Sequence, residues 1–472
     1  MTMNGLPGDS RLLIVSNRTP YVLRMGKDGR RIEKTIGGMV SALEPVLLTQ
    51  GGMWMGWGEG EVEREIGSIY IPEEDPRYQV KFIALSQKDV TEFYYGFSNT
   101  VLWPLCHYFL GRCRFSTSQW KAYERVNRKF ADSVLVELRD HDFTWVHDYH
   151  LALVPRLLRE QKPRSRVAFF WHIPFPHPDV FRALPWRAEI LQGLLGSTLL
   201  GFHLDLYVSN FLDCAAQILG AEVDRRDRLV HYKGHTTAVR AFPVGVDVDY
   251  HERIVRQPQT SHRAEKIRRD LHCEVMALGV ERLDYTKGIL ERLWAVERFL
   301  ELYSEFRRRF VLVQIAVPSR TRVEEYKRLK REIDETVGRI NGRFSEVGWT
   351  PVRYLYRGIP HEELIAYYLA ADLALVTPLR DGLNLAAKEY VAVKENGALI
   401  LSEFAGAAVE LPQALLVNPF NTEEVAQTIH RALHMTDGER RSRIAEMRDR
   451  VKTHDIHWWR KSFFEELNRL RQ

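Results

Sequence analysis

Short apolar runs alternate with amphipathic stretches along this chain, and the alternation is made twice. From Arg11 to about Val244 the runs at residues 12–15, 52–57, 145–147, 167–171 and 199–203 read as buried strands. Between them the stretches 39–48, 119–138, 151–160 and 204–219 carry a helical period. A second series follows the segment FPVGVD, with strand-like runs at 275–280, 310–316, 352–356, 373–377 and 398–402. Strand and helix in alternation predict parallel sheets covered by helices on both faces. The expected fold class is therefore α/β, with two Rossmann-like halves. At 472 residues the chain also exceeds the roughly 250–300 at which single cores stop growing. The predicted division is 1–245 and 246–455, with Pro243-Val-Gly245 as hinge. The aromatic-rich helix 456–472, carrying Trp458, Trp459, Phe463 and Phe464, is predicted to pack back on the first half. Residues 66–85 break the alternation and predict an antiparallel insertion, while 21–35, rich in Lys, Arg and Gly, predict a hairpin or a loop.

Composition narrows the function classes. With 67 Lys+Arg against 62 Asp+Glu the net charge is only +5, too mild for a nucleic-acid partner. Four scattered cysteines have no metal or disulfide spacing, no run approaches the ~18 apolar residues of a membrane span, and the N-terminus lacks a basic, signal-like stretch. The expectation is a cytoplasmic protein without membrane contact.

Candidate chemistry gathers where strands end. The stretch TPLRDGLNLAAKEY joins the end of an apolar strand, a turn at Asp381-Gly382 and a new helix from Asn384. Ligands of open α/β sheets bind at such carboxyl ends, and the unpaired N–H groups of the new helix suit phosphate or sugar oxygens. Asp381 and Glu389 add acceptors for hydroxyls. Arg18 closes the first strand, before Gly37-Gly38 opens a helix; it can take a phosphate bidentately or lie on the surface beside a turn. Asp148 and His172 also sit at strand ends, and Asp148 equally suits a helix N-cap and His172 a structural role. Arg282 and Lys287, after the 275–280 run, could face a diphosphate, although the spacing is not a Walker loop. Arg320 and Arg322 follow another strand and could equally be solvated. The charged helix 322–339 reads as a solvated face, and the aromatics around Tyr94 and Trp103 as core. The strings His231–His235, Asp140–Asp142 and Asp247–Asp249 have metal-like spacing without a third ligand, so no metal is expected.

Taken together, SNR, GG, FSNTVLWPLCHY, WVHDYH, FFWHIPFP, GFH, FPVGVD, ERLDYTKG, GRING, GWTP, TPLRDGLNLAAKEYVA and LSEFAGAA resemble, in order and over nearly the whole chain, the retaining glycosyltransferases of the trehalose-6-phosphate synthase family. The resemblance implies a GT-B architecture, two Rossmann-like domains facing an interdomain cleft, with the donor nucleotide on the second and the acceptor on the first. It implies that Arg282 and Lys287 clamp the diphosphate and Glu389 takes the ribose. Asp381, with the backbone at Gly382, Asn384 and Leu385, would hold glucose and phosphate, and Gly38 would approach the donor. His172 and Asp148 would stand beside glucose and acceptor, and Arg18, Tyr94, Trp103 and Arg320 would form the acceptor's phosphate pocket. The implied reaction moves glucose from a nucleotide-glucose, UDP favoured over GDP and ADP, to glucose 6-phosphate. The acceptor hydroxyl attacks on the face the nucleotide leaves, the departing phosphate takes its proton, and no cofactor is required. Ile359 departs from the family, which often has an aromatic residue near the base. Segment TPVRYLYRGIPHEEL also resembles glucosylglycerol-phosphate synthase, whose acceptor is glycerol 3-phosphate. A non-catalytic sugar-phosphate sensor is the reading from another class. Homo-oligomerisation is allowed, and a separate phosphatase is expected to act downstream.

Overall fold

In the computed structural model, residues 10–26, 29–35, 38–58 and 60–470 are described. The chain divides into two compact units, one of residues 1–243 with 457–472 and one of residues 244–456. Each is an α/β unit built on its own sheet.

The first unit contains β1 (Leu12–Arg18), β2 (Tyr21–Gly26), β3 (Gly29–Lys34), β4 (Gly52–Trp57), β5 (Ser68–Ile71), β6 (Tyr78–Ile83), β7 (Phe143–His147), β8 (Arg166–Phe170), β9 (Leu199–Phe202), β10 (Glu222–Asp224), β11 (Leu229–Tyr232) and β12 (His235–Ala241). Ten of them form one sheet in the order β10-β11-β12-β9-β8-β7-β1-β4-β6-β5. The strands from β12 through β6 are mutually parallel, and both edges are antiparallel. The predicted insertion at 66–85 is the β5–β6 hairpin, with β6 running parallel to β4. The 21–35 segment is the β2–β3 hairpin, whose tip at 27–28 lies outside the described residues. Strands β10–β12 were not predicted, because their mixed polar sequences lack an apolar run. The expected helix 151–160 is interrupted: a 3-10 turn at Tyr149–Leu151 precedes the helix Val154–Gln161.

The second unit carries β13 (Val275–Arg282), β14 (Phe310–Val317), β15 (Val352–Leu355), β16 (Leu373–Val376), β17 (Ala398–Ser402) and β18 (Leu415–Val417), all parallel, in the order β15-β14-β13-β16-β17-β18. Counted from β13 this is the doubly wound order 3-2-1-4-5-6, which reverses between β13 and β16. In the first unit the order reverses likewise between β1 and β7. Loops leaving the two strands at such a reversal diverge to opposite faces, which opens a crevice at their carboxyl ends. The charged helix Glu324–Phe344 is solvated on one side only, and buries Tyr326, Leu329, Ile333, Val337, Ile340 and Phe344 on the other.

The helix Ile456–Arg469 closes the first unit. Phe463 stacks on Trp145 at 4.1 Å between ring centres and Trp459 on the same indole at 5.3 Å, while Phe464 meets Phe143 edge-on at 6.2 Å. Arg240 Nε donates to Glu466 Oε1 at 2.6 Å beside them. Trp459 is fully buried, so truncating it leaves a large cavity under the centre of the sheet. Trp459→Ala is expected to cost about 3–5 kcal/mol in denaturant unfolding; a loss below about 1 kcal/mol would show that the helix is not part of this core.

Candidate active site

In the second unit, β13 ends at Arg282, whose side chain is exposed, and the chain turns through Asp284 into a 3-10 turn at Tyr285–Lys287. Gly288 follows at φ +64°, and a Cβ there would stand 2.3 Å from the Thr377 carbonyl at the end of β16. Only glycine allows the two strand ends this approach. Leu379 N donates to Thr286 O at 2.8 Å, which ties the loop after β16 to the loop after β13. The result brings Lys287 Nζ to 2.6 Å from Asp381 Oδ2, with both side chains mostly buried. Asn384 Nδ2 donates to the same oxygen at 3.0 Å, and Asn384 Oδ1 caps the helix Leu385–Val393 by accepting from Ala387 N. Gly382 and Leu385 flank that cap. Glu389, one turn into the helix, accepts from Tyr368 Oη at 2.8 Å. Burial, then Glu389, pushes Tyr368 well up, so it stays a neutral donor.

Arg320 is not a solvated charge. Its Nη1 lies 2.7 Å from Asp284 Oδ2, both side chains are almost fully buried, and Tyr326 Oη donates to the same carboxylate at 2.8 Å. Burial alone would raise Asp284, but the charges of Arg320, then Arg282 and Lys287, hold its carboxyl below the ordinary value. The structure thus attaches Arg320 to the loop after β13, with its charge already matched. Ile359 lies half-buried between β15 and the helix His361–Ala370.

In the first unit, the guanidinium of Arg18 lies 3.9 Å from the ring centre of Trp57 and 5.2 Å from that of Tyr94, and it hydrogen-bonds with Tyr94. Burial lowers the Arg18 pKa, yet an arginine stays charged at any ordinary pH. Tyr94 stacks on His150 at 5.7 Å. Trp103 is buried against His107 and Tyr149, at 4.2 and 5.9 Å, so it sits beside this cluster through Tyr149, which contacts His150 at 3.9 Å. Gly38 opens the helix Gly38–Gln50, and its neighbour Gly37 lies outside the described residues.

Asp148 does cap a turn, in an unusual conformation. Its φ is +74°, its Oδ1 accepts from Tyr149 N at 2.9 Å and from His172 N at 3.4 Å, and His150 Nδ1 lies 3.8 Å from Oδ2. A non-glycine residue held at positive φ costs of order 1–3 kcal/mol and collects at functional sites. His172 is one of three packed histidines: its Nε2 lies 3.1 Å from His147 Nδ1, and its carbonyl accepts from His203 Nε2 at 3.1 Å. Burial, reinforced by His172, pushes His147 well below 6.5, and burial with His203 nearby does the same to His172.

The sequence reading missed Trp57, His147 and His150. Each is set beside a recognised residue by strand register or by the turn after β7, as in the Arg18↔Trp57 pairing across β1 and β4. It also missed Arg292, which is 1 % exposed and bonds Glu281, Gln314 and Thr377 beneath the Lys287 loop. Among the described residues the acid-base ligand set closest to a metal site is His251, His361 and Glu389, which no local string announces.

Two Rossmann-like units, each with charged and polar residues at the carboxyl side of its sheet reversal, define the GT-B class of α/β glycosyltransferases. The model of glycosyltransferase family 20 matches residues 10–469, and the chain belongs to that family. It is 44% identical to a trehalose-6-phosphate synthase of Mycobacterium leprae, covering 98% of this chain and 95% of the relative. It is 40% identical to a UDP-forming alpha,alpha-trehalose-phosphate synthase of Dictyostelium discoideum, matching 97% of this chain but only 62% of that longer protein. Among solved structures, an E. coli protein bound with UDP-2-fluoro glucose superposes with a TM-score of 0.89 at 37% identity, covering 97% of this chain and 99% of that one. A Burkholderia xenovorans UDP-forming synthase in complex with glucose-6-phosphate gives 0.88 at 35%, covering 97% and 100%. No helix of the described residues is long and apolar enough to cross a membrane.

The histidine pair has a consequence for stability. In the unfolded chain each imidazole takes a proton near its ordinary value of 6.5, whereas the folded protein keeps both neutral well below it. The unfolded state therefore binds more protons as pH falls past 6.5, and the folded state loses stability. Replacing His147 by Asn removes one such group. Urea unfolding between about pH 5 and 7.5 is expected to show a dependence shallower by up to about 1.4 kcal/mol per pH unit on the acid side; equal slopes in both proteins would refute it.

Proposed function

We propose that the chain transfers glucose from UDP-glucose to glucose 6-phosphate with retention of configuration, forming α,α-trehalose 6-phosphate. One observation carries the donor half of the reading: Lys287 and Asp381, from the loops after β13 and β16, meet at 2.6 Å on the carboxyl side of the sheet reversal. A cation kept mostly out of water beside helix and loop N–H groups suits a diphosphate that gains charge as the sugar departs. Arg282 adds a second cation from the same loop, Asp381 with the backbone at Gly382, Asn384 and Leu385 takes sugar and phosphate oxygens, and Glu389 takes the ribose. Ile359 would lie toward the base, and Gly38 would approach the donor.

On the acceptor side, Arg18 on the faces of Trp57 and Tyr94 is a charge presented with a tyrosine hydroxyl, a pairing suited to a phosphate dianion. Trp103 supports that cluster. Arg320 is assigned there by resemblance alone, and its pairing with Asp284 gives it first a role in shaping the loop. His172 stays neutral, so it and Asp148 orient sugar hydroxyls rather than forming the acid and nucleophile pair of a glycosidase. The acceptor hydroxyl attacks on the face the diphosphate leaves, and the leaving phosphate takes its proton. A cytoplasmic enzyme followed by a separate phosphatase fits this product.

Nucleotide release from UDP-, GDP- and ADP-glucose, each with glucose 6-phosphate or glycerol 3-phosphate and with products identified by mass, tests the reading. Turnover is expected with UDP-glucose and glucose 6-phosphate. Turnover with glycerol 3-phosphate alone would make it a glucosylglycerol-phosphate synthase, and binding without turnover would make it a sensor. In the active pairing, Lys287→Ala is expected to lower kcat by about 10²–10³-fold, the usual loss for one preorganised electrostatic group; an unchanged kcat would remove Lys287 from the clamp.

A further inference from the structure

Three side chains of the second unit converge from three helices at a place where the proposed transfer needs only one of them. His251 comes from Val248–Val255, His361 opens His361–Ala370, and Glu389 lies on Leu385–Val393. Their ligand atoms all lie within 4.8 Å of one another. His251 and His361 face each other through their Nε2 atoms at 3.3 Å, with the rings nearly perpendicular at 74°. Two nitrogens bound about 2.0–2.1 Å from one tetrahedral ion lie roughly 3.3–3.4 Å apart, so the pair already has the spacing of two ligands of one metal.

What stands behind the three groups points the same way. His251 is 3 % exposed, and its Nδ1 lies 2.6 Å from the backbone oxygen of Asp247. A carbonyl oxygen only accepts, so Nδ1 carries the proton and the lone pair of neutral His251 is on Nε2, aimed at His361. Tyr368 Oη donates to Glu389 Oε2 at 2.8 Å, which orients the carboxylate and leaves its other oxygen for a second partner. An imidazole held through its far nitrogen by a carbonyl, and a carboxylate held by a hydrogen bond, are the outer contacts that orient metal ligands. A simple hydrogen bond between two neutral imidazoles accounts for the 3.3 Å contact, but not for the carboxylate converging on it.

We propose that His251, His361 and Glu389 bind a divalent transition ion of the zinc type, and that the ion competes with the nucleotide of the donor sugar for the Glu389 carboxylate. Two imidazoles and one carboxylate suit Zn²⁺ or Co²⁺ and leave a position for water, whereas Mg²⁺ prefers oxygen ligands alone. The competition rests on the reading of Glu389 as the ribose acceptor; the ion site itself does not. Occupancy would make the transferase sensitive to free transition metal without placing the metal in the reaction.

The test begins without substrate. Metal-free full-length protein is titrated with Co²⁺ and followed by its d–d absorption. One Co²⁺ per chain in a low-symmetry four- or five-coordinate site is expected, displaced by Zn²⁺ and indifferent to Mg²⁺. His251→Ala and, at the less buried position, His361→Ala should each weaken binding at least about tenfold, since even outer contacts of a metal change affinity by about 10–100-fold. No stoichiometric Co²⁺, or binding that survives both substitutions, would overturn the site. Initial rates then test the competition: Zn²⁺ should raise KM for the nucleotide-glucose in the native enzyme but not in His361→Ala, which also controls for chelation by the nucleotide. Inhibition equal in both proteins, or confined to kcat, would overturn the competition. Failure of every donor in the substrate assay would count against the function alone, because the Co²⁺ titration needs no donor.

Discussion

The loops at the carboxyl side of the second unit's sheet depend on a buried guanidinium. Arg292 is 1 % exposed, and it reaches Glu281 on β13 at 2.5 Å, Gln314 on β14 at 2.9 Å and Thr377 beyond β16 at 3.1 Å. Gln314 Nε2 donates to Glu281 at 2.6 Å in turn. Taking such a pair out of water costs several kcal/mol per ion, and the attraction offsets this only where the remaining donors are satisfied. Here the partners come from neighbouring strands at the point where the sheet order reverses. A network of that kind does little for net stability relative to an apolar core. What it supplies is position: it holds the three strand ends and, through the Lys287 carbonyl, the loop above them.

Above that base the loops are tied by backbone hydrogen bonds as well as by the Lys287–Asp381 pair. Gly288 lets the β13 loop touch Thr377, Leu379 donates to Thr286, and Gly406 N donates to Asp381 O while Ala407 N donates to Leu383 O. Lys388, on the helix carrying Glu389, is itself buried and paired with Glu410 at 2.5 Å, and it donates to Val244 O at 2.7 Å. Each face of that helix is therefore committed: one to the sheet, one to a buried ion pair, one to Tyr368 and the histidines. The side chains proposed to meet substrate stand on a support whose own polar groups are matched.

Much of this was legible in sequence, and the reason is geometric. In a parallel sheet buried on both faces the strands are short apolar runs, and the next polar residues fall by construction at the carboxyl ends. Arg18, Asp148, His172, Arg282 and Asp381 could be picked out by that rule alone. What escaped is what depends on pairing across the chain. Strand register puts Trp57 beneath Arg18, and the single periodic helix pattern that carries Arg292 does not reveal that its charge points inward. Strands β10–β12 and β18 are too short or too polar to show a period. His251 and His361 are 110 positions apart, a separation at which spacing carries no information. Arg320 shows the limit at the level of a single charge: the sequence left acceptor phosphate or solvent open, and the structure excludes solvent and adds a buried partner, Asp284.

The two units handle charge in different ways, and the difference bears on how a sugar could be transferred without a protein nucleophile. In the first unit burial pushes His147 and His172, on either side of the turn at Asp148, toward the neutral form, while the charged Arg18 lies against indole and phenol faces. In the second unit, Lys287 is matched with Asp381, and Arg320 with Asp284. A mostly buried ammonium with a carboxylate partner has already lost most of its water. Were Lys287 to face a diphosphate as proposed, binding would not have to desolvate the cation again. Electrostatic preorganisation is worth most when the stabilising group does not move or resolvate during the step. On the proposed reading of Lys287 as a donor clamp, loops fixed by Gly288 and by the Arg292 network would meet that requirement with the residues of one unit alone.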